Sequence, residues 1–118
     1  MPVAYSNVYL QSAGMFLPGA PVDNAGMDAY VAPLNRISER IKRRILAENG
    51  IQNRYYAIDG EGQTVFSNTQ MAQNAIEHTL ALAGKTLDDV GYLSSGSSGG
   101  DALMPGFASM VQGEMAAP

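Results

Sequence analysis

The stretch from Leu34 to Asp59 constrains the fold of this chain more than any other. Its apolar residues recur at spacings of three and four, which places them on one stripe of an α-helix. The stripe consists of Leu34, Ile37, Ile41 and Ile45. Gly50 follows at a point where a left-handed cap ends a helix at least cost, and the aromatic run after it is typical of a strand. We therefore expect a helix, a glycine stop and a short strand to Asp59, with a core covering the stripe.

The predicted helix also carries most of the positive charge of the chain. Five of the seven Lys and Arg residues lie in it: Arg36, Arg40, Lys42, Arg43 and Arg44. With Glu39 and Glu48 the segment has a net charge of +3, so the chain's −4 leaves −7 for all other residues. An acidic background of this kind disfavours nucleic acid as a partner. Spacings of four residues predict ion pairs between Glu39 and Arg43 and between Arg44 and Glu48.

Length and composition limit the class of protein. A chain of 118 residues is long enough for one small domain with its own core. It contains no cysteine, so it offers neither a disulfide framework nor a thiol nucleophile. No apolar run approaches the roughly 20 residues that cross a bilayer, and the first ten residues lack a basic region typical of a signal peptide. We expect a cytoplasmic protein that does not contact membranes.

Residues before the basic helix predict one strand and one short helix. Apolar and polar residues alternate from Asn7 to Ala13, as in a half-buried strand. Asn24 is a suitable N-cap for a short helix over residues 25–31. Pro33 can lie in the first turn of the basic helix without disrupting it. After Asp59, the glycine-rich run predicts a surface loop.

The second half of the chain predicts further helix and strand. Ser67 and Gln70 have the spacing of a capping box at the start of a helix that ends at Gly84, and its small residues predict burial between sheets. His78, in the middle of this helix, is interpreted as structural. Residues Thr86 to Asp89 predict a second short cap, and Val90 to Ser94 predict a buried strand. The serine- and glycine-rich segment from Ser94 to Gly100 is either a flexible linker or a ligand-binding loop at the end of that strand.

The order and spacing of these segments resemble the opening of ketoacyl synthase III-type condensing enzymes of the thiolase superfamily. The segment NGIQNRYYAID is similar to the branch that condenses carrier-bound acyl chains, including dialkylresorcinol-forming synthases. Met104-Pro105-Gly106 is similar to the step that opens a helix beside the family's dimer interface. The resemblance spans Val8 to Met115. It implies an α/β fold in which residues 1–118 form the N-terminal portion of a thiolase-like αβαβα domain.

This resemblance also implies a reaction, a Claisen condensation of acyl thioesters in fatty acid or polyketide-type biosynthesis, either decarboxylative or non-decarboxylative. Condensing enzymes use a cysteine nucleophile, with histidine and asparagine stabilising the enolate or the oxyanion. In the family all three follow the helix predicted at Gly106 to Met115. We therefore expect no catalytic residue and no metal site in this chain, and no cofactor apart from substrates linked to phosphopantetheine or coenzyme A. The ending Ala116-Ala117-Pro118 is not typical of a domain, so the remainder of the enzyme is an expected partner.

Arg40, Arg43 and Arg44 are the predicted contacts for acyl carrier protein or its phosphopantetheine, because both are anionic. The alternative is a solvated helix face without a partner. Arg44 and Glu48 stand where members that use coenzyme A resemble one another in having a tryptophan and an arginine. Neither residue is kept, so the resemblance favours a carrier-protein donor over acyl-CoA.

Met104 and Phe107 are the predicted substrate-binding residues. Met104 stands where the family has an aromatic or large apolar residue that crosses the dimer interface into the neighbour's acyl pocket, and methionine suits an irregular pocket. An ordinary core methionine is the alternative. Phe107, Met110 and Val111 are expected on the apolar side of the following helix. The resemblance and this apolar content together imply a homodimer through Met104 to Met115.

Two other functions fit the same residues. A non-catalytic subunit could bind a partner through the basic helix or complete a heterodimer of condensing-enzyme halves. The sequence that follows Pro118 distinguishes it from the enzyme, since a nucleophilic cysteine is expected there only in the enzyme. A free-standing small α/β protein is the third hypothesis, and it predicts monodisperse behaviour without any partner.

Overall fold

The computed structural model describes residues 6 to 115 of the chain. They form two compact units, which we call the middle unit (residues 17–67) and the split unit (residues 6–16 together with 68–115). The ending Ala116-Ala117-Pro118, which suggested a continuation of the chain, lies outside the described residues.

The middle unit is built around one long helix and a minimal sheet. Strands β1 (Val22–Asp23) and β2 (Asn53–Arg54) pair antiparallel, with Val22 opposite Arg54. Between them lie a 3₁₀ helix (Gly26–Ala29) and helix α1 (Arg36–Asn49). A turn then closes between Ile58 and Thr64, where Asp59 Oδ1 accepts the main-chain N–H groups of Glu61 and Gln63. The loop predicted after Asp59 is therefore this turn.

Helix α1 confirms the helix and glycine stop that the sequence predicted. Gly50 ends it in the left-handed conformation, at φ 68° and ψ 4°, where a side chain would be strained. Its start is fixed by Asn35, whose side chain accepts the N–H groups of Ile37 and Ser38 while Ser38 Oγ accepts the N–H of Asn35. Pro33 therefore lies before the cap, and the prediction that it lies in the first helical turn is wrong.

The apolar stripe of α1 is not covered by the middle unit, which contradicts the expected core. Leu34 and Ile37 are largely exposed, and Ile41 and Ile45 are 53% and 52% exposed. The half-buried positions of the helix are instead Ser38, Lys42 and Leu46. Lys42 can lie on this face because its ammonium group pairs with Asp28 while its methylene stem packs beneath it.

The residues flanking α1 correct two further predictions. Asn24 does not cap the short helix, because Asp23 Oδ1 accepts the N–H of Gly26 at 2.7 Å. Asn24 instead donates to the carbonyl of Ile51 and accepts from Arg54, and so joins the two sides of the α1 connection. The strand predicted up to Asp59 is shorter, because pairing with β1 ends at Arg54. Beyond it the ring of Tyr56 stacks on Tyr30 with centroids 4.5 Å apart.

The split unit consists of three helical segments. Helix α2 (Asn68–Ala83) ends at Gly84, as predicted, and a 3₁₀ helix (Leu87–Asp89) and helix α3 (Phe107–Glu114) follow. Val111 of α3 is 1% exposed, and among the described residues it is the buried apolar core. Phe107 and Met110 are half-buried on the same helix, which confirms its predicted apolar side.

Neither strand predicted in the split unit forms, and α2 does not lie between sheets. Within residues 6–115 the sheet has two strands, both in the middle unit, so Asn7 to Ala13 and Val90 to Ser94 have no ladder partner. Tyr92 is 85% exposed, and Val90 and its neighbours line an open cavity of about 380 Å³ beside α2 and α3. Of the α2 residues, Thr69 is the buried one. These predictions are wrong because burial of a strand depends on neighbours that the described residues do not supply.

The close approach of the N-terminal segment to α2 depends on Gly14, which lies outside the helix. A Cβ at Gly14 would lie 2.5 Å from Thr79 Oγ1 and 2.8 Å from Thr79 N, so the N-terminal segment approaches the helix only because Gly14 has no side chain. Ser12 Oγ donates to the Thr79 carbonyl at 2.9 Å. His78 Nδ1 lies 2.9 Å from the carbonyl oxygen and 3.3 Å from the amide nitrogen of Met15. These contacts agree with a structural role for His78.

Candidate functional site

The positive charges of α1 form a row rather than a cluster. Arg36, Arg40 and Arg44 follow one another at intervals of four residues, and all three line one open groove of about 470 Å³ with Ile37 and Ile41. The structure thus brings two of the predicted carrier contacts together, Arg40 and Arg44. Sequence reasoning missed Arg36, although its spacing to the other two is the signal that identifies it.

Arg43, the third predicted contact, is exposed but does not line this groove. It follows Lys42, whose side chain is only 16% exposed and pairs with Asp28. Of the predicted ion pairs within α1, Arg44 Nε lies 2.9 Å from Glu48 Oε1, which confirms the second. Within the described chain the pair between Glu39 and Arg43 does not form, so that prediction is wrong. The groove therefore presents two guanidinium groups, those of Arg36 and Arg40, without the local neutralisation that Glu48 gives Arg44.

An apolar surface borders the arginine row. The exposed stripe of α1 continues into a second groove, of about 440 Å³, whose apolar lining includes Met27, Leu46 and Ile51. Rows of arginine and isoleucine thus run side by side along the helix, about a quarter turn apart. Such a surface can hold the apolar side of an anionic partner and pair with its charges at the same time.

The predicted substrate residues lie on the segment that leads into α3. Met104 is 82% exposed, which contradicts the alternative of a core methionine in this chain. Leu103 beside it is fully exposed, and the Met104–Pro105 peptide bond is cis. Phe107 is half-buried at the first position of α3. Two predicted substrate contacts that are three residues apart therefore have different surroundings, one open and one packed.

Asp101 holds the start of this segment on α2. Its Oδ1 accepts the N–H of Asn68 at 2.8 Å, and its Oδ2 accepts the N–H and the hydroxyl of Thr69, both at 2.8 Å. Hydrogen bonds from the main-chain N–H groups of Thr69 and Asn68 hold the pKa of the Asp101 carboxyl below its ordinary value. Sequence reasoning missed this residue, because no local pattern signals a cap supplied from more than 30 residues away. The capping box predicted at Ser67 and Gln70 stays a prediction.

Asp89 forms a similar but local cap in the same unit. Its Oδ2 accepts the N–H of Thr86 at 2.9 Å, which is the main cause that lowers the pKa of the Asp89 carboxyl. Lys85 Nζ, 3.6 Å from Asp89 Oδ1, acts in the same direction. This confirms the capping role that the sequence predicted for the Thr86 segment.

In residues 6–115, no group of three or more His, Asp or Glu side chains lies close enough together to hold a metal ion. Nor does any helix in that range combine the length and the apolar character needed to span a bilayer. What the described residues offer is a row of arginines beside an exposed apolar stripe on α1, and an exposed apolar segment before α3.

Comparisons with known proteins show which enzymes the chain is similar to. No protein-family model matches the chain. It is 34% identical over 103 residues to the beta-ketoacyl-[acyl-carrier-protein] synthase III of Ruegeria sp. strain TM1040, a match that covers 87% of this chain and 28% of that enzyme. The enzyme of the same name from Ruegeria pomeroyi is 29% identical over 106 residues, or 90% of this chain and 29% of the enzyme.

A solved structure gives the same answer from the fold. AbyA1, a tetronic acid condensing enzyme, superposes with a TM-score of 0.72 and 28% identity over 92% of this chain and 31% of that one. This chain is related to the ketoacyl synthase III-type condensing enzymes. It spans 28% to 31% of the length of these relatives. These matches confirm the predicted resemblance and a thiolase-like fold over this part of the chain, while the αβαβα layering and the similarity to dialkylresorcinol-forming synthases stay predictions.

Proposed function

We propose that this chain belongs to a condensing enzyme that joins two acyl thioesters by a Claisen reaction. The observation that carries the proposal is the similarity to two ketoacyl synthase III enzymes along 87% and 90% of the chain. In the decarboxylative form, the carboxylate of an extender unit leaves as CO₂ and the resulting carbanion attacks the carbonyl of the primer, which releases its thiol. In the non-decarboxylative form a base removes a proton from the carbon that attacks.

The nucleophile of this reaction comes from residues outside these 118, because they contain no cysteine. What this chain contributes is contact with substrate and partners. Met104, which is open to solvent, enters the acyl pocket of a second protomer, and Phe107 supports it from the first turn of α3. The dimer forms through Met104 to Met115, and the rest of the enzyme covers the unpaired segments at Asn7 to Ala13 and Val90 to Ser94.

The acyl donor arrives on an acyl carrier protein that docks on α1. Support comes from the arginine row. Arg36 and Arg40 are exposed, and Arg44 is exposed but forms an ion pair with Glu48. Carrier protein and phosphopantetheine are anionic, so the row attracts both. Arg43, exposed on the same side of the helix, adds to the long-range field although it does not line the groove.

The proposed reaction is tested on the protein in the full length that its gene encodes. It is incubated with an acyl primer and with either a malonyl or a β-ketoacyl partner, each loaded once on carrier protein and once on coenzyme A, and products are identified by mass spectrometry. A β-ketoacyl product with release of CO₂ supports the decarboxylative form. A product formed only from β-ketoacyl or other non-malonyl partners supports the non-decarboxylative form, and absence of any condensation product overturns the proposal.

The donor is tested by reversing the charges of the basic helix. Replacing Arg40, Arg43 and Arg44 by glutamate should slow association with acyl carrier protein, and the effect should shrink as salt rises above physiological strength. Arg40→Glu alone can be compared with Lys85→Glu, which changes the net charge equally but lies outside α1. A loss that is independent of salt, or equal for Arg40→Glu and Lys85→Glu, would contradict docking on α1.

A second candidate is a non-catalytic subunit of a condensing-enzyme heterodimer. The specific observation in its favour is the exposed isoleucine stripe beside the arginine row, which fits a lasting protein contact as well as a transient one. It predicts that the full-length protein contains no nucleophilic cysteine and produces no condensation product alone. Restoration of activity by a co-purified second chain would favour this candidate over the first.

A further inference from the structure

The segment from Asp101 to Gly106 forms an arch whose tip is apolar and open. Leu103 and Met104 are 102% and 82% exposed, and no helix or strand includes them. A segment without regular structure loses conformational freedom when a tip residue must reach one position, and that loss opposes binding. Pre-organisation of the arch therefore decides how well its tip can present a side chain to a pocket.

The first foot of the arch is Asp101. Its two carboxylate oxygens accept three hydrogen bonds of 2.8 Å from the first two residues of α2, Asn68 and Thr69. Thr69 is 7% exposed, so the partner is itself fixed. Hydrogen bonds to a charged acceptor are about twice as strong as neutral ones, so Asp101 attaches this end of the segment firmly to α2.

The second foot is the start of α3. Val111 is buried at 1% exposure, and Phe107 and Met110 are half-buried on the same helix. A Cβ at Gly100 would lie 3.5 Å from Met110 Cε and 3.8 Å from the Phe107 ring, so the residue before Asp101 is in packing contact with α3. Both ends of the segment are therefore attached to helices of the split unit. Met104 lies three residues from each of Asp101 and Phe107.

We propose that Asp101 is a positioning residue, which fixes the arch on α2 so that the Leu103–Met104 tip reaches the acyl chain in a defined geometry. The proposal rests on the proposed function, because it assigns the tip to a substrate pocket. A residue that only stabilises α2 would change stability and leave acyl selectivity alone. A positioning residue changes which acyl chain is accepted, chiefly through KM.

The test uses the full-length enzyme and the variant Asp101→Asn. The amide keeps the shape of the side chain but replaces one acceptor oxygen by a donor, which faces donors on Asn68 or Thr69. Hydrogen exchange at those two amides should rise by roughly tenfold, as expected when a charge-assisted hydrogen bond is lost. The ratio of kcat/KM for long and short acyl thioesters should shift several-fold through KM. Thr69→Ser keeps the hydroxyl and should leave the ratio unchanged, whereas Thr69→Val should shift it in the direction of Asp101→Asn.

A matched control is Asp89→Asn, which removes a carboxylate cap of the same kind from the same unit at a point not joined to the arch. It should lower stability without shifting the acyl ratio. Faster exchange in Asp101→Asn with an unchanged ratio overturns the proposal and leaves the condensation itself intact. An equal shift of the ratio in Asp89→Asn overturns it as well. If the wild-type enzyme gives no condensation product, the proposed function fails and the positioning role falls with it, while the exchange data still report on the anchor.

Discussion

Val111→Ala should lower the free energy of unfolding more than Ile41→Ala does. The sequence alone suggests the reverse order. Ile41 belongs to the most regular apolar stripe in the chain, yet it is 53% exposed, whereas Val111 is 1% exposed at the contact of α3 with α2. Val111→Ala removes two buried methyl groups, about 1.6 kcal/mol of transfer free energy at about 0.8 kcal/mol each. The cavity left behind adds to this, so the free energy of unfolding should fall by about 2–3 kcal/mol.

Ile41→Ala removes three carbons, but about half of their surface already meets water. The transfer term is therefore about 1.2 kcal/mol. The higher helix propensity of alanine stabilises the variant by a few tenths of a kcal/mol. A surface site also relaxes without leaving a cavity, so no cavity term adds to the loss. The expected loss is about 1 kcal/mol or less, well below that of Val111→Ala.

Urea denaturation followed by circular dichroism measures both variants against the wild type, and equal m-values confirm that the same transition is compared. If Ile41→Ala costs as much as Val111→Ala, the stripe is covered in solution and Ile41 is not an exposed residue. Repeating the measurement over a range of protein concentrations shows whether the α1 stripe is covered by a second copy of the chain or by residues of the same chain. A stripe buried in a self-associated form makes the loss depend on concentration, since association adds to apparent stability by mass action.

Three further predictions test other parts of the chain. Gly14→Ala should destabilise the protein by about 1–3 kcal/mol or more, because its Cβ would lie 2.5 Å from Thr79 Oγ1, whereas Gly60→Ala, with no atom within 4 Å, should be nearly neutral in thermal denaturation. Met104→Trp should shorten the acyl chain that the full-length enzyme accepts while leaving its dimer intact, as measured by product analysis and light scattering; an unchanged chain-length preference would contradict the placement of Met104. Folding lowers the pKa of Asp89, so its stabilising effect is present above the ordinary pKa of the carboxyl and is lost as pH falls through the lowered value. Asp89→Asn should therefore flatten the acid side of a stability-against-pH curve, and a curve with an unchanged slope there would show that the cap does not titrate as described.

Local chemistry in the sequence determined where α1 and α2 end and where the Thr86 cap lies. Gly50 and Gly84 end α1 and α2 in the left-handed conformation, and Thr86 with Asp89 forms the predicted cap. These features depend on atoms within a few residues of one another, so the order of residues suffices to predict them. The family resemblance is likewise a property of order and spacing, and comparison with known proteins confirmed it.

The tertiary structure alone decided which faces are covered and which distant residues meet. Periodicity identified the apolar stripe of α1, but the half-buried positions of the helix are Ser38, Lys42 and Leu46. The strands predicted at Asn7 to Ala13 and Val90 to Ser94 did not form, because a ladder requires a second strand at the right place. Asp101 reached the start of α2 across more than 30 residues. Helix periodicity and caps are short-range, whereas burial and long-range hydrogen bonds depend on which segments share space, and a single sequence does not state that.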